Sequence, residues 1–411
     1  MIDSQDVSKE ELEVLKGDAV GNNLCSSKWI INTLMSLLKV DENGWTEELE
    51  NQLCTLWDLS TEGEVVSYLL SQNFLQIAKY LLTICDEPRF IEIVLGIIGN
   101  VCCNDEAMDA VGCDQELIKQ ILSHLESSDS LILIQLIRIL QLIAWKIRQN
   151  PQSNWVAHLT KCEFFGATII FILKSSTNDN LLITTMNLLE FISQINLLKK
   201  LFKINDLIPA LLESFAQVLP EGKTSLSELT FVQHWLAVLI VVMESGSLTF
   251  EDYENDERFL KLMDIIYRIL KPYNKSYNLY SIQQQSANII YDAMRVLLSF
   301  RRCNVNIPTR IDYIIAILIF SLKTVLEANE EKKMRELDPN ELNDLLDYII
   351  KYWLYIIESC TSEQIVAILD LCDNEVRECL ISFAQSKMIS EMLDKVKKVV
   401  TVFEKSKKDT F

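Results

Sequence analysis

Four apolar positions recur at one spacing in the first half of the chain, and that recurrence constrains the fold more than any other feature. Ile77, Ile84, Phe90 and Ile93 stand 41 residues before Ile118, Leu125, Leu131 and Ile134. In each copy a short apolar segment leads into a polar turn, Asp86-Glu87-Pro88 or Ser127-Ser128-Asp129, and then into a longer apolar segment. A third copy runs from Ile169 through the polar stretch Lys174 to Asn180 and on to Ile195, at a slightly longer spacing. Apolar residues three and four apart within each segment predict helices rather than strands.

Turn chemistry agrees. The 411 residues include only 10 Gly and 7 Pro, too few for the tight turns of a β-rich fold. A repeat near 41 residues falls in the range of armadillo and HEAT units. One helix pair cannot bury its own apolar face, so such pairs stack and share a continuous core. The chain also exceeds the size at which one compact core stops growing. The expected architecture is therefore all-α, an armadillo/HEAT-like α-solenoid of stacked helix pairs. Residues 1–25 read as a disordered acidic lead and 26–411 as a single helical domain with capping helices at both ends. Ser26 or Ser27 is placed to cap the first helix and Thr46 the second, since a side-chain oxygen there accepts from a free backbone N–H. Beyond residue 195 helix pairs are expected near 206–245, 255–300, 308–359 and 363–404, without a shared register.

Charge restricts the partners. The formal net charge is -20, and 14 acids against 4 bases lie between Met1 and Glu64, whereas the last helix is rich in lysine. A duplex phosphate backbone is bound by neutralising it with Lys and Arg, so no nucleic acid is expected directly. Met1 to Gly21 lacks the basic start and apolar core of a secretory signal, which predicts an intracellular protein. Leu131 to Ile147 is interrupted by Gln135, Arg138, Gln141 and Lys146, and no membrane span is expected. The 11 cysteines are scattered along helical patterns, as reduced buried thiols would be.

The run from Pro88 to Cys103, PRFIEIVLGIIGNVCC, resembles the signature of the serum amyloid A-like 1 protein family, whose members have armadillo-type helical structure. Ser27-Lys28-Trp29, the segment from Glu50 to Ser60, and the turns at Ser128-Asp129 and Ser175 to Asn178 agree with it, so the resemblance covers roughly Ser26 to Ile195. It implies a non-enzymatic intracellular protein, present in nucleus and cytoplasm and promoting cell proliferation.

Residues capable of catalysis are sparse. Gly222-Lys223-Thr224 matches the end of a phosphate-binding loop, but the first glycine of that motif would fall at Gln217, inside an expected helix. There is no G-x-S-x-G or G-x-G-x-x-G, and only His124, His158 and His234 could act as a histidine base. His158 and Cys162 stand four apart, yet no second pair completes a metal site. No enzyme activity, cofactor or metal is expected.

What remains is binding. Armadillo proteins line a groove with polar side chains of the longest helix in each repeat, and Asn100 holds such a position. The 41-residue offset carries it to Gln141, and the third copy places Glu190 alongside. Asn100, Gln141 and Glu190 are thus the expected groove residues, facing an extended peptide of another protein, unless Asn100 instead bridges neighbouring helices. Peptide-binding importins keep a tryptophan four residues before the asparagine, where this chain has Gly96. The expected function is a protein-interaction scaffold, with a nucleocytoplasmic transport adaptor or a regulator of an enzyme or RNA-associated complex as alternatives. Limited proteolysis should trim only the region before about Cys25, whereas an early stable cut in mid-chain would reveal two domains.

Overall fold

The computed structural model describes residues 18–20, 26–245, 256–280, 282–303, 305–329, 339–387, 399 and 401. Most of the expected lead and of the lysine-rich tail lies outside these residues. Within the lead, Ala19 pairs with Ser26 as an isolated antiparallel bridge and Val20 is buried. All other regular structure among the described residues is helical. The chain divides into two compact units, Met1–Lys203 and Ile204–Phe411, and their boundary is the bond to watch in a digest.

In the first unit, α1 is Ser27–Leu37, α2 Glu47–Leu59, α3 Gly63–Ser71, α4 Phe74–Ile84 and α5 Pro88–Val101. Then follow α6 Asp105–Cys113, α7 Gln115–Ser123, α8 Ser130–Gln149, α9 Trp155–Lys161, α10 Phe165–Ser175 and α11 Asp179–Gln194. Ser26 and Thr46 cap as expected, and the turn residues Asp129 and Asn178 cap two later helices. Ser26 accepts from the Trp29 N–H, Thr46 from Leu49, Asp129 from Leu131 and Ile132, and Asn178 from Leu181. Pro88 opens α5, where its missing N–H costs nothing.

The longer helices pack in sequence: α2 on α5, α5 on α8, and α8 on α11. They begin at 47, 88, 130 and 179, so the spacing of 41 holds for the first step and becomes 42 and then 49. That one extra residue corrects the sequence alignment between α5 and α8. At the offset of 41, buried Phe90 is matched to Leu131, which is 47% exposed. At 42 it meets Ile132, which is buried. One residue turns a helical position by about 100°, so a slip of one exchanges core for surface.

α5 has no solvent face. Every residue from Phe90 to Val101 is buried, as a helix enclosed between two others requires. Two glycines make the enclosure possible. A Cβ on Gly96 would lie 2.2 Å from Cε2 of Trp57 on α2, so the indole lies directly against the α5 backbone. At Gly112 of α6 the same relation holds with Trp155, 2.9 Å from Nε1.

Side-chain bonds link each layer to the next at separations of 35 to 48 residues. Lys79 pairs with Asp114, Arg89 with Glu50, Gln120 with Thr83, Lys146 with Asp105, and Asn178 with Ser130. α8 is apolar enough to cross a membrane by length and composition, as is the span Ser225–Glu244, each with a mean hydropathy of 1.7. In this fold the polar residues of α8 meet protein partners: Gln141 donates to the Thr184 carbonyl at 2.9 Å, and Lys146 to Asp105 at 2.9 Å.

The second unit contains α12 Ile204–Val218, α13 Leu229–Glu244, α14 Glu257–Leu270, α15 Gln284–Arg302, α16 Thr309–Asn329, α17 Pro339–Ser359, α18 Ser362–Leu371 and α19 Asn374–Lys387. Each helix packs on the second one along, α12 on α14, α13 on α15, α14 on α16, and α15 on α17, as stacked pairs do. Gln217 lies in α12, which removes the phosphate-loop reading of Gly222-Lys223-Thr224. A buried polar cluster crosses this core. Arg301 pairs with Asp312, whose other oxygen accepts from the Tyr352 hydroxyl at 2.8 Å. Burial drives the Asp312 carboxyl and the Tyr352 phenol upward, while the Arg301 guanidinium holds the carboxyl back.

Gly96→Ala should lower stability by about 1–3 kcal/mol, the usual range for overpacking. Denaturant unfolding of Gly96→Ala, Trp57→Ala and the double variant checks this. The double variant should be less destabilised than the sum of the singles, because the clash disappears with the indole.

Candidate functional site

The three expected groove residues do not share a setting. Asn100, 9% exposed, donates through Nδ2 to Ser60 Oγ at 3.0 Å and to the Trp57 carbonyl at 3.2 Å. Both acceptors belong to the end of α2, so the amide ties α5 to the preceding helix. Gln141 points the other way, to Thr184 of α11. Glu190 is half-exposed and accepts from Gln194 one turn on, at 3.0 Å.

Of the three, Gln141 alone lines the cavity of the first unit that best resembles a binding site. This cavity, about 460 Å³, is walled by α5, α6, α8 and α11. That size is within the range of sites that accept a small ligand or a few side chains. On α8, Arg138, Gln141 and Trp145 form one stripe, since residues three and four apart share a helix face. Asn187 and Phe191 supply the α11 wall, Asp105 and Met108 the α6 wall, and Gly99, Cys102 and Cys103 the α5 wall. Cys102 is buried, and burial pushes its thiol up to about 12, so it stays protonated and inert at neutral pH.

Trp145 is 44% exposed and lines the cavity. Beside it, the side-chain amide of Asn187 makes no hydrogen bond among the described residues. The charged groups sit at the margins. Lys146 is shared by Asp105 at 2.9 Å and Asp109 at 3.2 Å, and Arg138 donates to Gln135 Oε1 at 2.7 Å. An aromatic face with a free amide is chemistry for holding a peptide backbone and one side chain.

The sequence contains a signal for this wall once the spacing is 42. Cys103 and Trp145 are then equivalent positions on α5 and α8, and so are Gly99 and Gln141, whereas Asn187 enters through the longer step of 49 to α11. The offset of 41 selects Asn100 in place of Gly99, and the extra turn of about 100° carries it from the cavity wall to the interface with α2.

A second concavity of about 750 Å³ lies over the turns that precede α8 and α11. It is lined by Ser127, Ser128, Ser176 and Thr177 around Phe171, which is 67% exposed. His158 and Cys162 do not form a ligand pair. His158 Nε2 lies 3.3 Å from the Gly112 carbonyl, and Cys162 falls beyond the end of α9. Among the described residues no group of three His, Cys, Asp or Glu side chains is placed to hold a metal ion.

Comparison with known proteins follows the sequence resemblance. A segment of 184 residues is 31% identical to human Protein SAAL1, covering 41% of this chain and 38% of that protein. The chain is similar to the SAAL1 proteins. Protein saal1 of Xenopus tropicalis is 27% identical over 196 residues, 44% of this chain and 42% of the relative. The mouse protein is 27% identical over 190 residues, 43% and 40%. The matches thus span about two-fifths of the curated relatives, whose names state no activity. No protein-family model matches the chain.

Asn100→Ala should remove the donor to the buried Ser60 Oγ, while the Trp57 carbonyl keeps the Ser60 hydroxyl, and lower stability by about 1–3 kcal/mol. Thermal melting checks this bridge. A change under about 0.5 kcal/mol together with weaker partner binding would restore Asn100 to the groove.

Proposed function

We propose that the chain is a non-catalytic, intracellular protein-interaction scaffold of the armadillo/HEAT solenoid type, and that the cavity between α5, α6, α8 and α11 seats an extended segment of a partner protein. The solenoid reading is supported by the order of packing, α2 to α5 to α8 to α11 in the first unit and every second helix in the other. The binding reading rests on one observation, the part-exposed Trp145 indole of α8 lining the same cavity as the Asn187 amide of α11, which has no hydrogen-bond partner among the described residues. Trp and Tyr anchors in such pockets dominate interface energetics, and an amide offers both the donor and the acceptor that a peptide backbone needs. Nuclear and cytoplasmic residence and a role in promoting proliferation come from the family resemblance and belong to this proposal.

The transport-adaptor alternative has less support. The position at which importins keep their groove tryptophan is Gly96, buried against Trp57.

The paired variant Trp145→Ala with Asn187→Ala tests the reading, in affinity purification from cells followed by mass spectrometry. Partners that bind the wild type should fall at least tenfold in recovery, corresponding to about 1.4 kcal/mol. Because both side chains are partly buried, the melting temperature is measured alongside and should stay well above the assay temperature, so that lost recovery reports binding and not unfolding. Full recovery of the same partners would remove this cavity as the seat.

A further inference from the structure

The two ends of the cavity carry opposite charge. Arg138 and Trp145 stand seven residues apart on α8, about 10 Å along the helix at 1.5 Å per residue. The bond from Arg138 to Gln135 Oε1 uses one of the five guanidinium donors, and the side chain is exposed. At the other end Asp105 of the wall and Asp109, which lies outside the lining, share the single ammonium of Lys146, so that this group of three carries one negative charge in excess. Both carboxylates are about two-thirds exposed, 68% and 65%. The exposed face of Trp145 attracts a cation in its own right, through the negative face of its ring.

Between these ends the wall is uncharged. Gln141 keeps a carbonyl oxygen, Asn187 a whole amide, and Phe191 an apolar surface. An extended or polyproline II segment advances about 3.1–3.4 Å per residue, so three residues cover about the distance from Trp145 to Arg138. A uniformly basic segment would press a cation against Arg138. A uniformly acidic one would meet the excess carboxylate, and the net charge of -20 would repel it at long range.

Resting on the reading that this cavity seats a partner segment, we propose that the segment is dipolar. A Lys or Arg lies over Trp145 within reach of Asp105 and Asp109, and an Asp or Glu three residues away pairs with Arg138. The α5 wall offers only Gly99, Cys102 and Cys103, so selectivity comes from α6, α8 and α11.

Fluorescein-labelled nonapeptides in an Ala/Pro background test this against the full-length chain by anisotropy. Four peptides carry Lys and Glu three apart in either order, Lys at both positions, or Glu at both. One Lys/Glu order should bind at least tenfold more tightly than the Lys/Lys and Glu/Glu peptides, and the preference should weaken in high salt. Arg138→Glu should reverse the ranking, taking Lys/Lys at least tenfold better than Lys/Glu, with the melting temperature unchanged. If Lys/Lys or Glu/Glu binds the wild type as tightly as Lys/Glu and Trp145→Ala abolishes that binding, the dipolar preference is wrong and the seat survives. If no peptide binds, or Trp145→Ala leaves the affinities unchanged, both readings fall.

Discussion

The first unit depends on a helix with no side open to water. Twelve consecutive residues of α5, from Phe90 to Val101, are buried, so this helix exists only while α2 and α8 cover it. Its polar groups are matched by an arginine in its own first turn and by the end of α2. Glu92 is answered by Arg89 at 2.7 Å, which reaches on to Glu50 of α2, and Asn100 is answered by Ser60. A buried polar group left unmatched costs more than its bond returns when made. Specificity in the core thus rests on a few side-chain bonds embedded in an otherwise featureless apolar surface. Gly96 and Gly112 fix how closely the layers approach, because in each case an indole takes the volume a side chain would have filled.

Much of this was legible from residue types alone. Ser26 and Thr46 start helices through chemistry confined to one turn of backbone, and local chemistry is what a single sequence displays. The helix pairs of the second unit were also visible, since amphipathic spacing needs no knowledge of partners. Register was harder. The apolar residues of α5 lie on every face, so alignment to α8 by hydrophobicity is nearly indifferent to a shift of one. The placement of Asn100 went with that shift. Gln141 lines the cavity whichever offset is used, because it is read from α8 itself.

Other features had no local trace. Arg301, Asp312 and Tyr352 meet across separations of 11 and 40 residues, and nothing near any of them announces the others. Trp145 stood in plain view within an apolar helix, but an aromatic residue there reads first as core. Only the three-dimensional accounting, in which Ile139, Leu140, Ile143 and Ala144 already fill the buried face, shows the indole to be in excess.

The bonds between successive layers also determine how the first unit comes apart. Because Lys79, Arg89, Gln120 and Asn178 each reach one layer back or forward and no further, the coupling is between nearest neighbours, as in a one-dimensional chain of spins. In such a chain disorder spreads from an end inward, and a perturbation fades over one or two layers. α8 and α11 join through Gln141 to Thr184 and Arg148 to Gln194, so opening that joint would separate the walls of the cavity while α2 and α5 remain associated. Loss of the cavity and loss of the fold are therefore separable events, set by different links of the same chain.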